Sequence, residues 1–436
     1  MDKTSRFLIS ATTSGSGKTT LTLGLLRALK NRGLKTQPFK CGPDYIDTKY
    51  HDMASGNHSI NLDVFLASTH HVESLYSKYA TNKDACIVEG VMGLYDGYNR
   101  MQGSSAQIAE LLDIPVVLVI NAKSMAYSAA ALLFGFKNFY KNINVVGVIF
   151  NFVASDSHYS YLKDACEDVG LEALGYLPKD TNVEIPSRHL GLNIEKEFIF
   201  DEFANKVAAL IEKHINVDRL LEITATNKIT NASKEEEEKA KGNLNIAVAY
   251  DEAFNFIYHE NIEHLKKLGN VSFFSPIKDK ELPLNSDLVY LPGGYPELYL
   301  KELSSNTSML ESIRSYIENE GKLIAECGGM MYLCTSIADK EGIEYPMVDI
   351  LKQTATMQHM RLKLGYRSFT YKGQCIKGHE FHYSKVEDPH NNTSTVTQIH
   401  NAKGTEVDTK LIRYKNTIAG YTHIYWSELD LMKLFE

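Results

Sequence analysis

The segment FLISATTSGSGKTTLTLGLLRAL, residues 7–29, decides the fold of the N-terminal half of this chain. A short apolar run is followed by a glycine-rich loop, and the loop by a stretch in which Leu21, Leu25 and Leu29 recur at helical spacing. Gly33 then suits the C-terminal cap of that helix. Strand, glycine-rich loop and amphipathic helix in this order are typical of a phosphate-binding loop, or P-loop.

The loop carries the residue types that phosphate binding requires. Gly15 and Gly17 let backbone amides face a phosphate, and the N-terminus of the following helix favours an anion. Lys18 can neutralise the outer phosphates, and the hydroxyl of Thr19 can hold Mg²⁺. The usual motif has glycine six residues before the lysine, where this sequence has Thr12. The segment still predicts a nucleotide site, and an ordinary glycine-rich turn is the competing interpretation.

Two further loops carry acidic residues that suit a magnesium nucleotide site. The loop KCGPDYID contains Asp44 and Asp47, and the loop VEGVMGLYDG contains Glu89 and Asp96. Glu89 ends a buried strand, and ligands of α/β domains bind at the carboxyl ends of such strands. Each acid alone could instead cap a helix or a turn, but as a group they favour a ligand site.

Apolar runs alternate with amphipathic stretches along the whole chain, which predicts two α/β domains with doubly wound, mostly parallel sheets. Besides the first strand, we expect buried strands at 85–90, 114–120, 145–150, 244–250, 288–294 and 321–326, and a helix over 261–269. The segment TATNKITNASKEEEEKAKGN, residues 224–243, has almost no large apolar side chains and predicts a solvated linker. The expected domains are therefore residues 1–223 and 244–436.

The second domain carries chemistry of its own. In KLIAECGGMMYL, Cys327 follows an apolar strand and precedes two glycines and a helix, which is typical of a nucleophile elbow. A thiol at a helix N-terminus is expected to have a lowered pKa. Gly294 in LPGGYPE can supply a backbone donor to an oxyanion, and His423 in GYTHIYWSE is the expected base. A buried structural cysteine is the competing interpretation for Cys327.

Composition excludes several other classes. The chain has 46 basic and 54 acidic residues and a formal charge of −8, which argues against an overall nucleic-acid footprint. No stretch has the roughly 20 apolar residues that span a bilayer. Six scattered cysteines form no disulfide framework, and Cys86 and Cys166 read as core residues, so we expect a cytoplasmic protein. His379 and His382 lack a third clustered ligand and follow a strand pattern, which disfavours a metal pair.

Taken together, these blocks resemble the cobyrinate a,c-diamide synthases, a family of glutamine-dependent corrinoid amidoligases. The matching blocks occur in family order through both halves: TTSGSGKTTLTLGLLRAL, KCGPDYID, VEGVMGLYDG, IPSRHLGL, IAVAYDEAFNFIY, LPGGYPELY, AECGGMMYL, LGYR and GHEFHYS. The N-terminal half is similar to the dethiobiotin synthetase group, in which a threonine, here Thr12, replaces the first P-loop glycine. The C-terminal half is similar to the class I glutamine amidotransferases.

The resemblance implies two linked reactions. Cys327 would attack the amide of L-glutamine, the amides of Gly294 and Gly328 would hold the oxyanion, and His423 would shuttle the proton. Ammonia would move to the other domain, where ATP would convert an acetate carboxylate of the tetrapyrrole cobyrinate to an acyl phosphate. Two such cycles would amidate the a and c acetates in cobalamin biosynthesis.

The resemblance also implies roles for the remaining site residues. ATP would be held by Thr12, Gly15, Gly17, Lys18 and Thr19. Mg²⁺ would be bound by Thr19, Glu89 and Asp44, and the substrate carboxylate would lie near Asp44, Tyr45, Asp47 and Asp96. Asn151 is a candidate for contact with adenine, although a turn asparagine is an equal interpretation. Class I glutaminases often have His-x-Glu, but here Tyr425 follows at that spacing, so the group that orients His423 is not assigned.

Three alternatives stay open at this point. The same reaction on hydrogenobyrinate or on nickel sirohydrochlorin would use the same motifs. A regulatory P-loop ATPase is an alternative of a different class, but it would not need the elbow at Cys327. The sequence is compatible with a homo-oligomer and does not determine the oligomeric state.

Overall fold

A computed structural model describes residues 3–179, 199–229, 242–388 and 394–436. The chain divides into two compact units. The first comprises Met1–Val64 and Ser68–Glu235, and the second comprises Phe65–Ala67 and Glu236–Glu436. Each unit is built on its own mostly parallel sheet, which confirms the predicted fold class.

The N-terminal unit is a doubly wound sheet flanked by helices. Its strands are β1 (Lys3–Ala11), β2 (Thr36–Cys41), β3 (Ile60–Leu62), β4 (Ala85–Glu89), β5 (Val116–Asn121), β6 (Val145–Val153), β7 (Glu172–Pro178) and β8 (Ala225–Asn227). Its helices are α1 (Lys18–Asn31), α2 (Asp47–Ser55), α3 (Thr69–Ala80), α4 (Ser105–Leu111), α5 (Ala129–Asn138), α6 (Asp156–Val169), α7 (Phe200–His214) and α8 (Val217–Ile223). The strand order is β3-β2-β4-β1-β5-β6-β7, all parallel, and β8 pairs antiparallel with β1.

The order of these strands places the P-loop beside the acidic loops. Strand β1 lies between β4 and β5, and every residue of β4 is buried, as expected for a strand covered on both faces. The P-loop follows β1, and the loop that contains Asp96 follows β4. β2 is the other neighbour of β4 and runs parallel to it. The loop KCGPDYID, which follows β2, therefore lies at the same edge of the sheet.

The C-terminal unit combines a second, mostly parallel sheet with smaller antiparallel and mixed sheets. Its strands are β9 (Leu244–Ala249), β10 (Phe254–Phe256), β11 (Gly269–Phe274), β12 (Leu288–Leu291), β13 (Gly293–Gly294), β14 (Lys322–Glu326), β15 (Cys334–Ala338), β16 (Glu344–Pro346), β17 (Leu351–Thr356), β18 (Lys363–Tyr371), β19 (Gln374–His382), β20 (Lys385–Glu387), β21 (Ile399–Asn401), β22 (Glu406–Val407), β23 (Leu411–Tyr414), β24 (Thr417–Gly420) and β25 (His423–Ile424). Its helices are α9 (His259–Leu268), α10 (Leu300–Ser305), α11 (Thr307–Glu318) and α12 (Gly328–Tyr332).

The main sheet of this unit has the order β11-β9-β12-β14-β24-β23, with only β23 antiparallel to its neighbour. A second sheet, β22-β21-β18-β19-β25, is antiparallel throughout. Two apolar clusters are built on the main sheet, and the larger one contains Val289, Leu323 and Met330.

The first unit extends beyond the predicted boundary at residue 223. Residues 225–227 form β8, and the hydroxyls of Ser5 and Thr224 lie 2.6 Å apart, so the first unit continues beyond residue 223. Thr226 and Asn227 of β8 pair with β1. A count of large apolar side chains does not detect a strand made of such polar residues. The glutamate run lies outside the described residues. Within the described ranges, no helix is long and apolar enough to cross a membrane.

Candidate active sites

The P-loop has the backbone geometry that its sequence predicts. Gly15 and Gly17 have φ values of 75° and 89°, in the left-handed region that favours glycine, and α1 begins at Lys18. Lys18 is buried, and its Nζ donates to the carbonyl oxygen of Met92, 2.5 Å away. Burial lowers the pKa of Lys18, while the carboxylates of Glu89 and Asp47 oppose that shift. The lysine therefore lies among the acids of the neighbouring loops.

Asn151 supports the P-loop from β6. Its Nδ2 donates to the carbonyl oxygen of Ser16 at 3.0 Å, and its Oδ1 accepts from the amide of Phe152 at 2.9 Å. A Cβ built on Gly17 would lie 2.0 Å from Asn151 Nδ2, so the contact requires glycine there. These bonds give the asparagine a structural role in the P-loop, and its contact with adenine stays a prediction.

A buried charge cluster lies next to the P-loop hydroxyl. Thr19 Oγ1 donates to Glu89 Oε1 at 2.7 Å and lies 3.4 Å from Asp47 Oδ2. The Nζ of Lys40 donates to the same two oxygens, at 2.8 Å to Glu89 and 2.7 Å to Asp47. The other oxygen of Glu89 pairs with His51 Nε2 at 2.6 Å. One hydroxyl and two carboxylates therefore converge, with a lysine bridging the carboxylates.

Opposite charges control the ionisation of this cluster. Burial alone would lower the pKa of Lys40, but Asp47 and Glu89 outweigh burial and raise it above its ordinary value. Burial alone would raise the pKa of Glu89, but Lys40 and His51 hold it below its ordinary value. Glu89 is thus ionised in the fold, as a carboxylate ligand of a divalent cation must be.

The two aspartates of KCGPDYID make different contacts. Asp44 Oδ1 accepts the backbone amides of Ile46 and Asp47, both at 2.8 Å, so this oxygen closes a turn. Burial and the neighbouring Asp47 raise the pKa of Asp44. Asp47, expected near the substrate carboxylate, is the aspartate within reach of Thr19. Sequence spacing could not distinguish the two residues because both belong to one short loop.

The other residues expected near the substrate are placed as follows. Tyr45 is buried in the same loop, 4% exposed. Asp96 Oδ2 accepts the amide of Gly93 at 3.0 Å, so the glycine-rich loop after β4 is closed by its own aspartate. Thr12 lies at the start of the P-loop, and its carbonyl oxygen is 3.0 Å from a Cβ built on Gly93.

The nucleophile elbow is present in the C-terminal unit. Cys327 has φ 48° and ψ −106°, a strained conformation for a residue other than glycine, between β14 and α12. Its amide donates to the carbonyl oxygen of Gly420 at 2.7 Å, which ties the elbow to the end of β24. Since β14 and β24 are parallel neighbours, Cys327 and His423 follow them at the same edge of the sheet.

The two glycines of the predicted oxyanion site are adjacent. A Cβ built on Gly328 would lie 3.0 Å from the amide nitrogen of Gly294 and 2.8 Å from Cδ of Pro296. The backbone after Cys327 therefore packs directly on the strand β13. Two neighbouring backbone amides next to a nucleophile are the arrangement that stabilises an oxyanion.

The expected lowering of the Cys327 pKa is wrong. The thiol is 4% exposed, and burial raises its pKa, with a further contribution from the carboxylate of Glu297. Only the amide of Gly328 favours the thiolate. Helix α12 has just five residues, so its dipole is small compared with the loss of water around the sulfur.

The ring of His423 is also held in its neutral form. The side chain is 1% exposed, and burial lowers its pKa to about 3, with further lowering from His379 and His382. A neutral imidazole is the form that accepts a proton from a thiol. The ring packs against Gly293, where a Cβ would lie 2.1 Å from His423 Cε1.

This contact gives a direct test of the placement of His423. The Gly293→Ala variant forces the imidazole to move, and we expect glutamine-driven activity to fall about 100-fold, because displacement of a catalytic group by about 1 Å costs that much. Activity with free ammonia should not change. Gly135→Ala is the control, since a Cβ at Gly135 meets nothing within 4 Å. Wild-type glutamine-driven activity in Gly293→Ala, at an unchanged melting temperature, would contradict this placement.

Glu326, which the sequence analysis did not select, fixes the strand that carries His423. Its carboxylate accepts the hydroxyl of Tyr290 at 2.7 Å and the amide of Ile424 at 3.2 Å. Asn261 bonds the same segment from the other side, at the carbonyl of Ile424 and the amide of Trp426. Burial raises the pKa of Glu326 to about 8. The backbone that follows the base is therefore held on both sides.

The block GHEFHYS lies on β19 and contains a buried ion cluster. Glu380 accepts bonds from Arg367, from Thr409 and, at 2.8 Å, from His382 Nε2. The other ring nitrogen of His382 faces the carbonyl oxygen of Ser384 at 2.8 Å, and the ring stacks on Tyr421. In the described parts of the chain, no three His, Cys, Asp or Glu side chains are grouped to hold a metal ion. His382 is instead bonded through both ring nitrogens to groups of the same sheet region.

This cluster predicts a specific pH dependence of stability. Burial opposes ionisation of Glu380, but His382 and Arg367 prevail and hold its pKa at about 2, against an ordinary value of 4.5. The resulting stabilisation, about 3 kcal/mol, is present above pH 4.5 and is lost as the pH falls towards 2. Glu380→Gln should lose about that much free energy of unfolding at pH 7 and show a flatter acid limb in urea titrations.

The control for this prediction is Glu406→Gln, which removes an exposed carboxylate from the same sheet. We expect it to change the free energy of unfolding by less than about 0.5 kcal/mol. Equal effects of the two substitutions at pH 7 would show that the Glu380 cluster does not stabilise the unit.

Comparison with known proteins assigns each half of the chain to a known domain. The CobQ/CobB/MinD/ParA nucleotide binding domain matches residues 7–192, and the CobB/CobQ-like glutamine amidotransferase domain matches residues 245–430. The chain thus belongs to the class of proteins that joins a nucleotide-binding domain to a glutamine amidotransferase domain.

Curated relatives narrow this class to one family. A protein of Caldanaerobacter subterraneus subsp. tengcongensis is 41% identical over 96% of this chain and 94% of its own length. Proteins of Listeria innocua and Salmonella typhimurium are 38% and 37% identical, over 99% and 97% of this chain and 98% and 95% of their own lengths. All three are named cobyrinate a,c-diamide synthase. This chain belongs to the cobyrinate a,c-diamide synthase family.

Proposed function

We propose that this protein amidates the a and c acetate carboxylates of cobyrinate, with glutamine as the nitrogen donor and ATP as the source of activation. The observation that carries the proposal is the presence, in one chain, of a P-loop bonded to buried acids and of a cysteine elbow with a neighbouring base. A regulatory ATPase would require only the first of these sites.

The glutaminase half-reaction follows from the residues of the elbow. Cys327 transfers its proton to His423 as the sulfur attacks the side-chain carbonyl carbon of glutamine, and the amides of Gly294 and Gly328 bind the oxygen that becomes negative. His423 then gives the proton to the departing nitrogen, and ammonia leaves a thioester on Cys327. Water, deprotonated by His423, cleaves the thioester, so that glutamate leaves and the thiol is restored. In this scheme Cys327 and His423 both start neutral, which is the state that burial favours for each group.

The synthetase half-reaction belongs to the N-terminal unit. A carboxylate is a poor electrophile, so an acetate oxygen attacks the γ-phosphorus of ATP and ADP leaves. Ammonia then attacks the carbonyl carbon of the acyl phosphate, and phosphate leaves with the bonding electrons. The P-loop amides and Lys18 bind the phosphates in this scheme.

The residues around Thr19 fit a magnesium ion. Oxygen donors of a hydroxyl and two carboxylates are those that Mg²⁺ prefers, and we propose Thr19, Glu89 and Asp47 as the ligands. The bound ion would neutralise charge on the phosphates. Asp47 is preferred to Asp44 because its Oδ2 lies 3.4 Å from Thr19 Oγ1, whereas Asp44 Oδ1 closes a turn. We also propose that Tyr45 and Asp96 lie near the substrate carboxylate. The expected location of the protein is the cytoplasm.

The test is amidation followed by mass spectrometry. The purified protein is given ATP, Mg²⁺ and glutamine with cobyrinate, hydrogenobyrinate or nickel sirohydrochlorin in parallel reactions. Two successive acid-to-amide mass changes on cobyrinate, faster than on the other macrocycles, are expected. Faster amidation of another macrocycle would show that cobyrinate is not the preferred substrate. ATP hydrolysis with no amide formed on any of the three would overturn the proposal.

A further inference from the structure

Glu297 lies beside the nucleophile but has no role in the steps described above. It belongs to a short 3₁₀ turn, Pro296–Leu298, directly after the glycine pair of β13. The ring of Pro296 is the nearest neighbour of a Cβ built on Gly328, at 2.8 Å. Glu297 therefore follows directly on Pro296, which packs against Gly328, the residue after Cys327.

The surroundings of Glu297 leave its carboxylate without a strong counter-charge. In the described ranges, no hydrogen bond or ion pair from another side chain reaches this carboxylate. Glu297 is half-buried, and the partial loss of water around its carboxyl raises its pKa to about 7, while the charge of Lys340 opposes that shift only in part. Among charged groups, Glu297 has the largest influence on the pKa of Cys327. The carboxylate is thus close enough to Cys327 to affect the thiol.

A half-buried carboxylate of this kind is stabilised by a cation that pairs with it. The substrate of Cys327 supplies such a cation, because glutamine carries an α-ammonium three carbon–carbon bonds and one carbon–nitrogen bond from its amide carbon. That separation is roughly 5 Å, comparable with the spacing of neighbouring residues. A residue adjacent to the elbow can therefore reach the ammonium while the amide carbon lies at the sulfur.

We propose that Glu297 binds the α-ammonium of glutamine and so selects this amino acid among primary amides. The inference rests on the proposed glutaminase function of the C-terminal unit. It concerns substrate selection alone, since ammonia needs no such recognition. Glu297 would also place a negative charge near the sulfur until the ammonium pairs with it.

The first experiment compares glutamine with 4-carbamoylbutanoate, which lacks only the α-amino group. For Glu297→Gln, we expect KM for glutamine in glutamate release to rise about 10- to 100-fold, the loss typical of a hydrogen bond to a charged group. The preference of the wild type for glutamine over 4-carbamoylbutanoate should fall by a similar factor. Amidation driven by free ammonia should stay at the wild-type rate. Glu302→Gln, which changes an exposed acid on α10, is the matched control.

A second experiment separates recognition from damage to the thiol. Cys327 is labelled with 6-diazo-5-oxonorleucine, which keeps the α-ammonium and loses dinitrogen on alkylation, or with iodoacetamide, which has no ammonium. Glu297→Gln should slow the first label at least about 10-fold and leave the second unchanged or faster. Equal slowing of both labels, or an unchanged preference for glutamine, would overturn the proposal. Absence of glutamate release by the wild type would instead refute the glutaminase function itself.

Discussion

Cys327→Ala should lower glutamine-driven amidation at least about 1,000-fold and leave ammonia-driven amidation near the wild-type rate. The sulfur forms the thioester in the proposed mechanism, and no other group at the elbow can replace that bond. The synthetase half-reaction uses ammonia from either source, so it does not need the thiol. The measurement is the initial rate of amide formation by mass spectrometry, with glutamine or with an ammonium salt at alkaline pH.

The control for this variant is Cys375→Ala, because Cys375 is an exposed thiol of the same unit. It should retain both activities. Loss of both activities in Cys327→Ala, at an unchanged melting temperature, would contradict the division of labour between the units. Retention of glutamine-driven activity would remove Cys327 from the mechanism.

Lys18→Ala should abolish amidation with either nitrogen source, by about 1,000-fold or more. The ammonium of Lys18 lies among Glu89, Asp47 and Asp96 and is the charge expected to neutralise the outer phosphates of ATP. Without it the acyl phosphate does not form, so neither ammonia nor glutamine can yield an amide. Glutamate release should be affected much less, because it belongs to the other unit.

ATP binding, measured by isothermal titration calorimetry, accompanies the rate measurements for this variant. Lys163→Ala removes an exposed lysine from α6 and serves as the control. Amidation by Lys18→Ala at more than about a tenth of the wild-type rate would show that this loop is not the site of phosphoryl transfer.

The sequence predicted those features of the fold that repeat locally. The strands and the first helix of the N-terminal unit follow from apolar runs and from leucines at helical spacing, and glycine marks the loops. The antiparallel pairing of β18 and β19 was not predicted, although Lys372 and Gly373 both have positive φ at its turn. β18 also pairs with β21, and β19 also pairs with β25. Both of these partners lie far along the chain, and local periodicity contains no information on such pairing.

The site residues show a similar limit. Glu89 was predicted as a site residue because it ends a buried strand. Glu326 also ends a buried strand, but the prediction for that segment concerned only the adjacent Cys327. Lys40 and His51 were missed because their significance lies in contacts across three elements. The pKa of Cys327 was misjudged because helix position is visible in sequence, whereas complete burial results from the tertiary fold.

Trp426 is the only tryptophan of the chain, and it is fully buried three residues after His423. Its ring packs edge-on against Tyr290, which in turn bonds the carboxylate beside Cys327. Excitation at wavelengths where tyrosine does not absorb will therefore report on the C-terminal unit alone. A change in Trp426 emission on addition of glutamine would report a change around the strand that carries His423. A change in the same emission on addition of ATP would show that nucleotide binding in the N-terminal unit affects the C-terminal unit, and no attached dye is needed.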